Sequence, residues 1–294
     1  MATEVEREIP TQPDMWRRAA GVAAASTAAL PPAGARAAVV GCGTSWFVAQ
    51  AWACLRETAG SGVTDAFAAS EAPVTRAYDG VVAVSRSGTT TEVARLLRAL
   101  PPGTRTTAIT AVVDSPVVRE ANEVVLLEFA DERSVVQTRF ATTALALLRA
   151  ALGEDLGRVA DDGEEALRRP LPEGLAAFNH FVFLGHGWTV GLANEAALKF
   201  REAAQAWTES YPAMEYRHGP ISVAGPQSLV WSLGGVEEPL LHDVAATGAA
   251  VVSSDLDPMA ELVVAQRAAI ALAASKGLDP DHPRHLTRSV VLPE

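Results

Sequence analysis

The sequence predicts an α/β fold of two lobes, each a parallel sheet flanked by helices. Three observations predict it. Short apolar runs alternate with helical patterns through the first half. The same strand–turn–helix pattern restarts after residue 175. The length of 294 residues exceeds what one core of roughly 150 residues uses. Strands that alternate with helices call for crossover connections and hence parallel pairing.

In order, Arg36–Val40 is a β-rich run that enters Gly41-Cys42-Gly43, and 45–57 follows with a helical pattern. A strand is expected near 63–67, another at 81–84, and after a Ser/Gly/Thr turn a helix at 91–100. Strands at 106–113 and 124–129 bracket a short helix near 115–121, and a long helix over 138–152 closes the half. Residues 153–175 are acidic and contain Pro170 and Pro172, which suits a helix plus linker. Phe181–Leu184 then enters Gly185-His186-Gly187, with a helix through about Trp207. Strands at 229–233 and 250–253 and a helix at 261–276 complete the chain. Val39-Val40-Gly41-Cys42-Gly43 and Phe183-Leu184-Gly185-His186-Gly187 share one pattern, which suggests a weak internal duplication.

Composition narrows the function. The net charge is −11 and there is no basic run, which argues against nucleic acid and anionic membranes as partners. Cys42 and Cys54 are expected as small buried thiols in a reducing compartment. Met1 to Pro10 is charged, so no signal peptide is expected; no apolar stretch reaches ~18 residues, so no membrane span is expected and the cytoplasm is the expected location.

Four hydroxyls crowd Ser85-Arg86-Ser87-Gly88-Thr89-Thr90, between a strand and a helix. A helix cap needs one; four, with a glycine and the unpaired N–H groups of a helix start, point to a phosphate. Thr44 and Ser45 fit as further donors to phosphate or sugar, whereas Trp46 stands where a nicotinamide-binding turn needs its third glycine. Glu195, Lys199 and Glu202 fall at i, i+4 and i+7 on one helical face, a carboxylate–ammonium set suited to moving a proton beside a carbonyl. His218 precedes Gly219-Pro220 in a turn and is a candidate proton shuttle; His186 is a weaker one.

With these residues in hand, the chain resembles the SIS (sugar isomerase) family, in particular the isomerase half of the glutamine–fructose-6-phosphate transaminases. The likeness rests on Gly-Cys-Gly-Thr-Ser at 41–45, Ser85–Thr90 with Arg86 in place of glutamine, Glu-x-Ala-Leu-Lys-x-x-Glu at 195–202, His218-Gly219-Pro220, and Asp281-His282-Pro283-Arg284-His285-Leu286. It implies two tandem SIS domains of three-layer, flavodoxin-like form: 14–160, which would bind phosphate, and 161–294, which would carry the Glu/His segment and the tail. It implies a homodimer with sites at the subunit interface, no cofactor and no metal. By position it implies that Thr44, Ser45, Ser85, Arg86, Ser87 and Thr90 hold the phosphate, that Val135 offers backbone to the sugar, that Glu195 and Lys199 line the pocket, that Glu202 moves the proton and that His218 assists ring opening. No glutaminase domain is expected, and the family's imine-forming lysine falls on Arg288, which cannot form an imine. Arg288 could instead stabilise an enediolate electrostatically. The expected function is a sugar-phosphate isomerase using a glutamate base. The alternatives are an amino-sugar-phosphate or fructosamine-phosphate deaminase or deglycase, and a non-catalytic sugar-phosphate binder.

Overall fold

The computed structural model describes residues 2–293; Met1 and Glu294, the outermost positions of the N-terminal and domain-boundary expectations, lie outside the described residues. The chain opens with helices α1 (Glu4–Glu8) and α2 (Gln12–Ser26). It continues through β1 (Ala37–Gly41), α3 (Thr44–Thr58), β2 (Thr64–Ala68), β3 (Gly80–Val84), α4 (Thr91–Ala99), β4 (Arg105–Thr110), α5 (Pro116–Glu120), β5 (Glu123–Leu126) and α6 (Arg139–Ala151). After α7 (Leu156–Arg168) come β6 (His180–Gly185), α8 (Thr189–Ala204), β7 (Thr208–Pro212), β8 (Ser228–Ser232), α9 (Glu238–Ala246), β9 (Ala250–Val252) and α10 (Pro258–Ser275).

These strands make two sheets, of order β2-β1-β3-β4-β5 and β7-β6-β8-β9, and every pairing is parallel. The second order repeats the first four places of the first. The central strands β1, β3, β6 and β8 are buried along their whole length, as parallel strands covered on both faces must be, so they read as continuous apolar runs. On α4, Val93, Ala94, Leu96 and Leu97 are buried, and they meet Val40, Val81, Ala83 and Ala108 of the sheet in one core. A second core gathers Val182, Leu184, Val230, Leu240 and Val244.

The chain forms two compact units, 14–157 with 287–294, and 1–13 with 158–286. These divisions differ from the expected 14–160 and 161–294 at both termini, and hydrogen bonding gives the reason. In the first unit, Arg86 donates to the Arg288 carbonyl (2.6 Å), Thr91 N–H to Val290 O (3.2 Å) and Leu292 N–H to Thr91 Oγ1 (2.9 Å), which fastens the tail along the start of α4. In the second unit, the Asp281 carboxylate accepts from the N–H groups of Glu4 (2.6 Å) and Val5 (3.2 Å), and Gln12 Nε2 donates to Gln266 Oε1 (2.7 Å).

Candidate functional site

In the first unit the chain runs from β1 outward to β2 and returns to β3 on the other side of β1. This reversal of strand order leaves a crevice at the carboxyl ends of β1 and β3, the usual place for a ligand in such sheets. Both hydroxyl-rich turns stand there. A Cβ on Gly41 would lie 2.6 Å from the Ser45 carbonyl carbon, and one on Gly185 would lie 2.3 Å from Thr189 O, so the two strand-Gly-x-Gly turns need their first glycine for the same close approach. Gly88 has φ +62°, and a Cβ there would meet Ser115 Oγ at 2.0 Å. Only glycine lets the turn fold this tightly.

The 85–90 turn is preorganised. Ser87 Oγ accepts from Thr89 N–H (3.2 Å) and from Thr89 Oγ1 (3.0 Å), and Ser85 Oγ lies 3.5 Å from Thr90 Oγ1. Thr90 is the N-cap of α4, yet its side chain makes no capping bond; Thr91 N–H is taken by Val290 O, and the N–H groups of the next residues of the helix start are the ones left to offer an anion. Thr44 and Ser45, both buried, open α3 beside it.

Arg86 does not lie open at this turn. Its guanidinium is buried, donates to Ser134 O (2.8 Å) and Arg288 O (2.6 Å), and stands 3.7 Å from the buried Glu132 carboxylate. Glu132 in turn accepts from the N–H groups of Thr138 (3.0 Å), Arg139 (3.0 Å) and Phe140 (3.3 Å), capping α6. Arg86 thus braces the turn against the loop that carries half-buried Val135 and against the tail. Arg86→Ala strands a buried carboxylate, which in general costs 3–5 kcal/mol. Because α6 still donates to Glu132, a loss of about 3 kcal/mol is expected from the shift of the urea midpoint; an unchanged midpoint would show the brace to be inert. Arg288 itself donates to Asp131 Oδ1 (2.6 Å) and to the Glu132 carbonyl (3.1 Å), so its guanidinium is held by the same loop. Glu132 and Asp131 were not legible as partners in the sequence.

Cys42, between Gly41 and Gly43, has its thiol pushed up to about 11 by burial and by the nearby Glu92 carboxylate. The thiolate is the reactive form. In a Cys54→Ser background, Cys42 should therefore react with a disulfide reagent at pH 8 at least ~10-fold more slowly than an ordinary thiol of pKa about 8.5, and Glu92→Gln should speed it. Labelling as fast as free cysteine would contradict this.

In the second unit, α8 carries the array expected from spacing. Lys199 Nζ lies 3.4 Å from Glu195 Oε1 and 2.5 Å from Glu202 Oε2. Glu195 and Lys199 are buried, whereas the Glu202 side chain is 19% exposed. This is no solvated stripe: it is an ion-paired array with one carboxylate at its wet end. Glu202 borders an open cavity of about 410 Å³ lined also by Leu198, Arg201, Gln205, Arg284 and His285. His218 ends a 3₁₀ turn (Ala213–His218) and is exposed, followed by Gly219 at φ +130°. Tyr216 anchors that turn in the core; burial and Glu209 push its hydroxyl up to about 12. His186 is exposed in its turn, with its backbone N–H bonded to Thr189 Oγ1 (2.8 Å). No group of three or more His, Cys, Asp or Glu fit to hold a metal occurs among the described residues.

The SIS domain family matches residues 31–152, the stretch that runs from just before β1 to the end of α6. Residues 31–152 are a SIS domain. Beyond this SIS domain, the likeness extends over most of the chain. A glutamine–fructose-6-phosphate aminotransferase (isomerizing) of Sulfurisphaera tokodaii is 29% identical over 250 residues, 73% of this chain and 42% of the relative. The chain spans about half the length of the curated relatives it matches. The solved glucosamine-6-phosphate deaminase of Thermotoga maritima superposes with a TM-score of 0.84 at 25% identity, over 99% of this chain and 100% of that one. Tagatose-6-phosphate ketose/aldose isomerase of Escherichia coli shares the fold (TM-score 0.81, 21% identity, covering 99% of this chain and 97% of that one).

Proposed function

We propose that the protein is a sugar-phosphate isomerase that interconverts an aldose and a ketose hexose phosphate through an enediol, with Glu202 as the base. The observation that carries this reading is Glu202 itself: a carboxylate at the accessible end of a buried Glu–Lys array, bordering a cavity. Isomerisation asks for one group that takes a proton from the carbon beside the carbonyl and returns it to the neighbouring carbon. Lys199 holds Glu202 in place, and Glu195 holds Lys199. Ser85, Ser87 and Thr90, with Thr44 and Ser45, hold the phosphate; Arg86 acts through the loops it braces. Val135 offers its backbone to the sugar. Arg288, fixed by Asp131, supplies positive charge in the tail, and no imine forms on it.

The same reading takes the second unit as a second SIS domain, supported by its repeat of the strand order, and takes the protein as a homodimer in which His218 serves a partner's site. His218 is exposed, as are nearby Met214 and Val223, which suits cover by a second copy. Mixing Glu202→Gln with His218→Ala protomers should restore part of the activity through hybrid dimers. No recovery after verified exchange would place the whole site within one chain.

A second reading, an amino-sugar-phosphate deaminase or fructosamine-phosphate deglycase, is favoured by the likeness to the Thermotoga maritima deaminase. It would use the same base and release an amine. An assay against hexose and amino-hexose phosphates that follows ketose formation and ammonia release separately decides between the two. Tight binding without either product would leave a non-catalytic binder.

A further inference from the structure

An aldose–ketose isomerase moves two protons, and Glu202 accounts for one of them. The proton on carbon passes between C2 and C1. A second proton must reach the carbonyl oxygen and another must leave the neighbouring hydroxyl, which asks for a group that both gives and takes. The cavity that Glu202 borders, about 410 Å³, is of a size to hold one sugar, and all its lining residues belong to the second unit. Its other charged or titratable lining groups are Arg201, Arg284 and His285. A guanidinium stays protonated, so Arg201 and Arg284 attract negative charge but pass no proton. Lys199 does not line the cavity, and its ammonium is engaged by Glu195 (3.4 Å) and Glu202 (2.5 Å). His285 remains, and an imidazole exchanges protons in both directions near neutral pH. Its side chain is exposed and makes no hydrogen bond or ion pair among the described residues, whereas His180 and His282 are engaged by Ser228 and Asp279. The backbone sets its direction instead. Pro283 is buried, Leu286 N–H donates to Pro283 O (3.2 Å), and within this turn His285 takes φ +64°, an uncommon conformation for a residue with a side chain.

We propose that His285 is the second proton-transfer residue of the reaction, serving the substrate oxygens while Glu202 serves the carbons. The inference rests on the isomerase reading and adds a catalytic residue to it. In the direction from aldose to ketose, the Glu202 carboxylate takes the proton from C2. The C–H electron pair becomes the C1–C2 double bond, and the carbonyl pair moves onto O1, which takes a proton from the His285 imidazolium. The neutral imidazole then takes the proton of the O2 hydroxyl. That O–H pair becomes the new carbonyl at C2, and the C1–C2 pair takes the proton back from Glu202 onto C1. Glu202 ends as a carboxylate and His285 as an imidazolium, so both are ready for the next turnover. Arg201 and Arg284 supply fixed positive charge as the oxygens change hands.

Chemical rescue tests it on the full chain, with the hexose phosphates of the panel above, fructose 6-phosphate first among them. His285→Ala should lower kcat for interconversion by about 10²-fold, the lower end of what a positioned acid–base group contributes, with KM little changed. Free imidazole should then raise the rate of His285→Ala in proportion to its concentration and leave the unaltered protein as it was. His285→Gln, which can hydrogen-bond but cannot pass a proton, should be as slow as His285→Ala and should show no such rescue, because glutamine fills the space. The side chain is exposed, so neither change threatens folding, and matched thermal midpoints confirm it. Turnover of His285→Ala within threefold of the unaltered protein, a loss that imidazole does not restore, or a His285→Gln protein of near-normal rate each overturns the proposal. Failure of the isomerase reading is distinguishable, because it shows in the unaltered protein, which would then interconvert no member of the panel; failure of the inference shows only in the variants.

Discussion

Glu202→Gln should lower turnover of a hexose phosphate by about 10²–10⁴-fold, the span that a positioned base contributes. Glutamine keeps the shape and can still accept from Lys199, so the array stays packed while the proton acceptor is lost. The affinity for the sugar phosphate should change little, which places the loss in the chemical step. Steady-state rates with calorimetric affinities check both halves. Turnover within tenfold of the unaltered protein would remove Glu202 from the proposed role.

The second large effect is on binding. Ser87→Ala combined with Thr90→Ala should weaken sugar-phosphate binding by about 3 kcal/mol or more, because hydrogen bonds to a charged group contribute about 1.5–3 kcal/mol each. Ser87 also accepts two bonds from Thr89, so its removal loosens the turn as well as deleting a donor. The Tm should move little, since both hydroxyls lie at a turn rather than in the apolar core. Calorimetry that finds unchanged affinity would take the phosphate away from this turn.

What the sequence made legible follows from how each segment is held. The central strands and α4 announce themselves because continuous apolar runs and one-sided helical burial are local patterns. The 85–90 turn and the 195–202 array are legible for the same reason, since hydroxyl density and i, i+4 spacing need no knowledge of the fold. β7 was not legible: Thr-Glu-Ser-Tyr-Pro is a polar edge strand, half-buried and closed by proline. The helix expected to reach Trp207 stops at Ala204, where Gln205 turns left-handed. Arg86 is the clearest lesson at the site. Its place in a phosphate-like motif suggested a phosphate ligand, but its partners Glu132, Ser134 and Arg288 are 46 to 202 residues away in sequence. Only the fold brings a buried carboxylate to that guanidinium.

The most direct test of the central claim is solvent exchange at the sugar. An enediol formed by a carboxylate base places the abstracted proton in contact with solvent. In deuterium oxide, the pure protein should incorporate deuterium at C1 or C2 of its hexose phosphate, as followed by NMR, while aldose and ketose interconvert. Glu202→Gln should abolish both the exchange and the interconversion. Tight binding with no deuterium at either carbon in the unaltered protein would contradict the account.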